Sequence, residues 1–247
     1  MMNVWGMTDI GLVRRENQDA YAVHVSDETG FTICVVCDGM GGPGGGRLAS
    51  RLAVDAFLGA CKANLQREMG WEQVREVTAF AVTAANTAVY ERSCTGDGLR
   101  GMGTTLVSAV VREGEALLDN VGDSRAYLIR AGGGISRITR DHSVVERLVE
   151  QGSITEEEAR SHPNRNIITR ALGPDRSASS DSYRVSLEPG DSLLLCTDGL
   201  TGTVRDQELA QEIHGSGGDN QCLDRLLELA KAQGAPDNVT AVLLRRQ

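Results

Sequence analysis

Five stretches of the chain place an aspartate at the border of an apolar run. Asp38-Gly39 follows Phe31–Cys37, Asp198-Gly199 follows Leu193–Thr197, and Gly122-Asp123 follows Ala116–Val121. Asp237-Asn238 precedes Val239–Leu244, and Asn17-Gln18-Asp19 precedes Tyr21–Val25. Taken singly, each reads as a turn or a cap, because Asp-Gly suits tight turns and Asp accepts backbone hydrogen bonds at element ends. Taken together they point to chemistry. If these runs are neighbouring strands, their carboxylates converge, and glycine beside three of them lets backbone approach closely. Converging anions repel until a cation neutralises them. An oxygen-only donor set suits hard Mg²⁺ or Mn²⁺ rather than Zn²⁺. The four histidines, His24, His142, His162 and His214, are too scattered for a helical zinc motif.

The elements that must position these residues follow from apolar spacing. Strands are predicted at 21–25, 31–37, 104–111, 115–121, 125–130, 135–139, 183–187, 192–197 and 239–244. Short turns at Arg112–Gly114 and Gly132–Gly134 make antiparallel hairpins. Leu48, Leu52, Phe57, Cys61 and Leu65 recur at helical spacing, as do Val74, Val77, Phe80, Ala81, Ala84 and Ala88, expected to form one face over 72–92. Residues 143–150 read as a short helix. Thr155 with Glu158 is a capping box that opens another. The polar stretch 161–166 makes 143–172 a candidate flap. Two further helices are expected at about 206–213 and 220–233. Strands, a helix pair, more strands, a second helix pair and a last strand predict an α+β layered domain with helices covering antiparallel sheets.

Composition limits the alternatives. The 247 residues carry 25 Lys and Arg against 34 Asp and Glu, a net charge of −9, with 40% hydrophobic and 24% charged residues. That is ordinary for a folded globular chain, and one large core is expected rather than two. The acidic balance argues against nucleic acid as a partner, since phosphate backbones need dense Lys and Arg. No run approaches about 18 apolar residues, so no membrane span is expected. No apolar leader precedes Arg14, Arg15 and Glu16, and the cysteines sit in apolar segments. Reduced core thiols in a cytoplasmic protein are therefore expected. Cys34 and Cys37 allow a redox or zinc reading, but alternation along one strand would send them to opposite faces.

Against this background a resemblance stands out. Gly11–Asp19, Asp38-Gly39-Met40-Gly41-Gly42, Gly101–Thr105 and Asn120–Tyr127 resemble, in order, motifs of the protein phosphatase 2C family, the metal-dependent PPM-type Ser/Thr phosphatases, in its bacterial form. Asp141-His142-Ser143, His162-Pro163 with Arg170–Gly173, Thr197–Leu200 and Asp237–Thr240 continue the series. The match runs from Asp9 to Leu244. It implies a four-layer αββα sandwich, two antiparallel sheets flanked by helix pairs, forming a single PPM-type phosphatase domain over 1–247.

By motif position the resemblance implies that Asp38 bridges two metal ions, with the Gly39 carbonyl on one of them. Asp198 and Asp237 would hold the first ion and Asp19 would support the second. Asp123 matches the acidic residue of a third, weaker site. Two core ions of Mg²⁺ or Mn²⁺ would then deprotonate a bridging water for in-line attack on phosphorus, without a covalent intermediate. Arg14 matches the arginine that grips the substrate phosphate, a catalytic and binding role, and His162 lies where relatives contact substrate. Phosphorylated proteins, a Ser/Thr kinase and its substrates among them, are the implied partners, and a monomer is expected.

His142 reads either as a general acid or as a packed residue beside Asp141. Met40 stands where many eukaryotic relatives carry an acid histidine and has no proton to give, so metal-bound water is the preferred acid. Pro43 and Arg47 replace a His and a Glu usual after the second motif. A phosphoprotein-binding module of the same fold and a phosphatase dedicated to one partner are the competing readings.

Overall fold

The computed structural model describes residues 2–42, 44–95, 98–215 and 220–247; Pro43 lies outside them. Strands β1 (Met2–Asp9), β2 (Asp19–Val25) and β3 (Thr32–Met40) are followed by helices α1 (Gly45–Asn64) and α2 (Trp71–Ser93). Strands β4 (Gly103–Thr104), β5 (Leu106–Arg112), β6 (Glu115–Val121), β7 (Arg125–Ile129) and β8 (Ile135–Arg137) lead into short helices α3 (Val144–Glu150) and α4 (Glu156–Ser161). The chain closes with β9 (Asp181–Ser186), β10 (Ser192–Cys196), α5 (Asp198–Thr201), α6 (Asp206–Gly215), α7 (Asn220–Ala232) and β11 (Val239–Arg246).

The strands form two antiparallel sheets. One runs β1-β11-β10-β7-β8 and the other β2-β3-β5-β6-β9, with β4 paired to the end of β3. Side-chain alternation along each strand feeds two cores at once. Cys34, Val36, Val107 and Leu118 of one sheet meet Ala126, Leu195 and Val242 of the other. On the far face of the β3 sheet, Ile33, Val35 and Val110 pack under Phe57 of α1 and Val82 and Val89 of α2. On the far face of the other sheet, Tyr127, Leu194 and Leu243 pack under Leu209 of α6 and Leu226 of α7. The four-layer α+β sandwich expected from the motifs is the observed architecture.

Cys34 lies in the inter-sheet core and Cys37 in the core beneath α1, on opposite faces of β3. Cys34, Cys37, Cys61, Cys94 and Cys196 form no disulfide. The redox or zinc reading of Cys34 and Cys37 therefore has no geometric basis.

Three elements differ from expectation. β1 was not predicted, yet it pairs with β11 from Met2↔Arg246 to Asp9↔Val239. As an edge strand it has no fully buried residue, so it lacks the apolar run that marks β3. β3 does not stop at Cys37 but continues to Met40, because β4 extends its ladder through Gly39↔Thr104 and Met40↔Gly103. Asp198 does not border a turn but opens the short helix α5.

The capping box is present as expected. Thr155 Oγ1 accepts the Glu158 amide at 3.2 Å, and Glu158 Oε2 accepts the Thr155 amide at 2.7 Å. The segment carrying α3 and α4 returns to the sandwich through isolated bridges, Ser143↔Ile168 and Thr104↔Leu172. No helix among the described residues is long and apolar enough to cross a membrane.

Candidate active site at one end of the sandwich

Asp38, Asp123, Asp198 and Asp237 line a single pocket of about 390 Å³, together with Arg14, Gly39, Met40, Asn166 and Ile168. Widely separated stretches of backbone meet there. Asp38 sits on the last turnless stretch of β3, and Asp123 on the β6–β7 turn. Asp198 starts α5, and Asp237 precedes β11. Asp19 lies one strand behind, at the start of β2, directly opposite Asp38 in register. It is 7% exposed.

Close backbone approach makes this convergence possible. A Cβ on Gly199 would lie 1.9 Å from the Asn238 carbonyl oxygen, so only glycine after Asp198 lets α5 approach the loop that carries Asp237. A Cβ on Gly39 would lie 2.0 Å from the Gly46 carbonyl oxygen, which seats the first turn of α1 against β3. Hydroxyls and amides fix the remainder. The Asp38 amide donates to Thr105 Oγ1 at 2.9 Å, and its carbonyl accepts Thr104 Oγ1 at 2.8 Å. Thr105 Oγ1 in turn meets Ser124 Oγ at 2.6 Å, tying β3 to the Asp123 turn. Asn238 joins both ends of the chain. Its Nδ2 donates to the carbonyls of Ile10 (2.9 Å) and Glu16 (3.0 Å), and its Oδ1 accepts the Gln18 amide at 2.8 Å.

The electrostatics are those of an overcrowded anion site. Burial, then repulsion from Asp19, Asp198, Asp123 and Asp237, holds the Asp38 carboxyl well above the usual carboxylate range. Burial, then Asp198 and Asp141, does the same to Asp123. Asp198 is raised by burial and then by repulsion from Asp237, with an influence from Asp38 opposing the rise. Asp19 is pushed up to about 7, chiefly by burial, against hydroxyl bonds that include Thr197 Oγ1 at 2.9 Å. One buried oxygen on each of Asp19 and Asp198 has no hydrogen-bond partner.

Among the described residues, no three His, Cys, Asp or Glu side chains already stand arranged around a metal ion. The donor chemistry nevertheless fits one. Clustered, partly buried hard oxygens that repel one another, two of them unsatisfied, match what Mg²⁺ or Mn²⁺ requires.

Arg14 reaches this cluster from the N-terminal loop. Its Nη2 donates to Asp237 Oδ2 at 2.6 Å, and this exposed pair sits at the pocket mouth. His162 is not brought to the pocket. It caps α4, its Nδ1 accepts the Asn164 amide at 3.1 Å, and it is absent from the lining. Asn166 and Ile168 from the same segment line the pocket instead.

His142 is a packed residue. Nδ1 accepts the Gly122 amide at 3.0 Å and Nε2 faces Asp181 at 3.2 Å, leaving neither nitrogen for a leaving group. Burial lowers its pKa. The unusual Arg47 has a local partner, Glu16, at 2.9 Å. The sequence reading gave no roles to Thr105, Ser124, Asn166 and Asn238. Their signal was present only as polar residues within or beside the quoted motifs.

Comparison with known proteins agrees with this geometry. Residues 14–243 match the family model described as Protein phosphatase 2C. The chain is 34% identical over 239 residues to the serine/threonine phosphatase stp of Listeria monocytogenes, covering 97% of this chain and 94% of that protein. The serine/threonine phosphatase of S. agalactiae superposes with a TM-score of 0.90 at 30% identity, covering 100% of both chains. The catalytic domain of the phosphatase PstP, solved in complex with two manganese ions, superposes at 0.83 with 32% identity, over 99% of this chain and 97% of that one. The chain belongs to the protein phosphatase 2C family, in its bacterial serine/threonine phosphatase form.

Proposed function

We propose that the chain hydrolyses phosphoserine and phosphothreonine in proteins by direct attack of a metal-activated hydroxide on phosphorus. The carrying observation is the convergence of Asp38, Asp123, Asp198 and Asp237 on one pocket, with Arg14 at its mouth. In this reading Asp38, the Gly39 carbonyl, Asp198 and Asp237 would hold two core ions of Mg²⁺ or Mn²⁺. Asp19 supports them from the strand behind, and Asp123 serves a third, weaker ion. Bound there, the ions supply charge neutralisation at the phosphoryl oxygens and a water of lowered pKa as nucleophile.

The chain's own residues do the rest. Arg14 binds the phosphate with a planar, two-pronged guanidinium, which suits phosphoryl oxygens better than a point charge would. Thr104 and Thr105 hold the Asp38 backbone so that its carboxylate need not reorganise during reaction. Met40 has no proton to give and both His142 nitrogens are engaged, so water protonates the leaving alkoxide. Substrate binding by His162 is not carried forward, since its ring is turned into its own loop.

The whole of 1–247 then acts as a single phosphatase domain, with 143–172 as a flap beside the pocket. Phosphoproteins are the substrates, and a Ser/Thr kinase is the opposing signalling enzyme. Buried thiols without disulfides at Cys34, Cys37, Cys61 and Cys196 favour a reducing, cytoplasmic setting, and the chain is read as a monomer. The test is direct. Purified protein with Mn²⁺ should hydrolyse p-nitrophenyl phosphate and a phosphothreonine peptide, and EDTA should abolish both; turnover unaffected by EDTA contradicts the reading.

A further inference from the structure

Among the described residues, six large hydrophobic side chains are conspicuously exposed, and four of them belong to two short segments. Ile10 (39%), Leu12 (61%) and Val13 (67%) lead directly into Arg14, while Ile167 (49%) sits between Asn166 and Ile168, both of which line the pocket. The other two, Val25 and Phe80, lie elsewhere. An aqueous cleft that handles a phosphate dianion has no need of aliphatic walls. A phosphoprotein does: Leu12 and Val13 precede Arg14, and Ile167 lies between two pocket-lining residues, so both segments border the place where its phosphate would bind.

Backbone hydrogen bonds brace the loop that leads into Val13. The Leu12 amide donates to the Ala235 carbonyl at 2.9 Å, the Gly11 amide to Asp9 Oδ1 at 2.8 Å, and the Ile10 carbonyl accepts Asn238 Nδ2. Its apolar side chains are therefore held in water by an ordered backbone, a cost that burial under a substrate would reverse.

We propose that Leu12, Val13 and Ile167 form an aliphatic rim that selects phosphoprotein substrates bearing apolar side chains next to the phosphoresidue. This specificity rests on the hydrolase reading above. Partial burial of two such side chains favours the matched substrate by about tenfold in kcat/KM.

The experiment compares two phosphothreonine peptides that differ only in their flanking residues, Leu and Val in one and Ser and Gly in the other, with p-nitrophenyl phosphate as a substrate too small to reach the rim. The Mn²⁺-loaded protein should prefer the aliphatic peptide about tenfold. L12S/V13S and I167S should reduce that preference through KM while p-nitrophenyl phosphate turnover persists. Equal rates on the two peptides, or a preference unchanged in both variants, overturn the rim and leave the hydrolase reading intact. No turnover of any substrate overturns both. A dimer in sedimentation that L12S/V13S dissolves assigns the rim to a second copy of the chain and overturns the proposal.

Discussion

Among the places where the described residues bury aspartate, two handle the charge in opposite ways. Asp119 on β6 is fully buried and alone. Its Oδ1 accepts the hydroxyls of Ser180 (3.1 Å) and Ser182, and its other oxygen has no partner. Burial raises its pKa, with the Ser182 hydroxyl the first of the opposing influences. At the end of the sandwich, Asp19, Asp38, Asp123, Asp198 and Asp237 are also buried to varying degrees, but each raised carboxyl owes part of its shift to other carboxylates. A solitary buried acid can settle its desolvation by keeping a proton or by hydroxyl donors. A cluster that opens into a pocket can exchange its protons for cations, because solvent ions reach it. Burial and a raised pKa alone do not mark a catalytic group; mutual repulsion around an accessible cavity does.

The largest expected difference between the two places is in turnover. Asp38→Asn should lower kcat on a phosphopeptide by roughly a thousandfold, about 4 kcal/mol of barrier. Circular dichroism should show the fold retained, since removing one of several repelling carboxylates costs the metal-free protein nothing in charge. A variant that folds and keeps wild-type kcat breaks the distinction.

Stability should separate the places next. Asp19 and its neighbours have folded pKa values above those of the unfolded chain, near 3.9 for an aspartate. The folded protein therefore binds more protons than the unfolded chain between about pH 4 and 7, and its stability falls as pH rises through that window. Metal-free protein should lose Tm on going from pH 5 to 7.5. Mn²⁺ at pH 7.5 should restore it, with protons released on binding. A metal-free Tm that rises steadily over that range contradicts the cluster account.

The smallest effect belongs to the solitary acid. Asp119→Asn replaces a buried carboxyl with a group of the same shape, so kcat should change by less than about twofold, and the Tm gain from Mn²⁺ should match that of the wild type. A large loss of activity there would mean that the core around β6 is coupled to the site.

Much of the pocket was legible because its chemistry demands residue types that also punctuate the chain. Asp38, Asp198 and Asp123 each adjoin a glycine, and Gly39 and Gly199 are required by backbone contacts of about 2 Å that a Cβ would close. The long buried strand β3 announced itself through an unbroken apolar run. What escaped was held by tertiary context. β1 is an edge strand without buried residues. The extension of β3 to Met40 depends on a two-residue strand more than sixty residues away. His142 was ambiguous because a histidine's role depends on which atoms face its nitrogens, here Gly122 and Asp181. His162 carried no local sign that its ring would cap its own loop, or that Asn166 and Ile168 would reach the pocket in its place.

The account turns on whether cations occupy the meeting point of these carboxylates. Anomalous diffraction from crystals soaked in Mn²⁺ measures that directly. Peaks are expected between Asp38, Asp19, Asp198 and Asp237, with a weaker one at Asp123, and none beside Asp119. Full-occupancy manganese elsewhere, with no density within reach of Asp38, would contradict it.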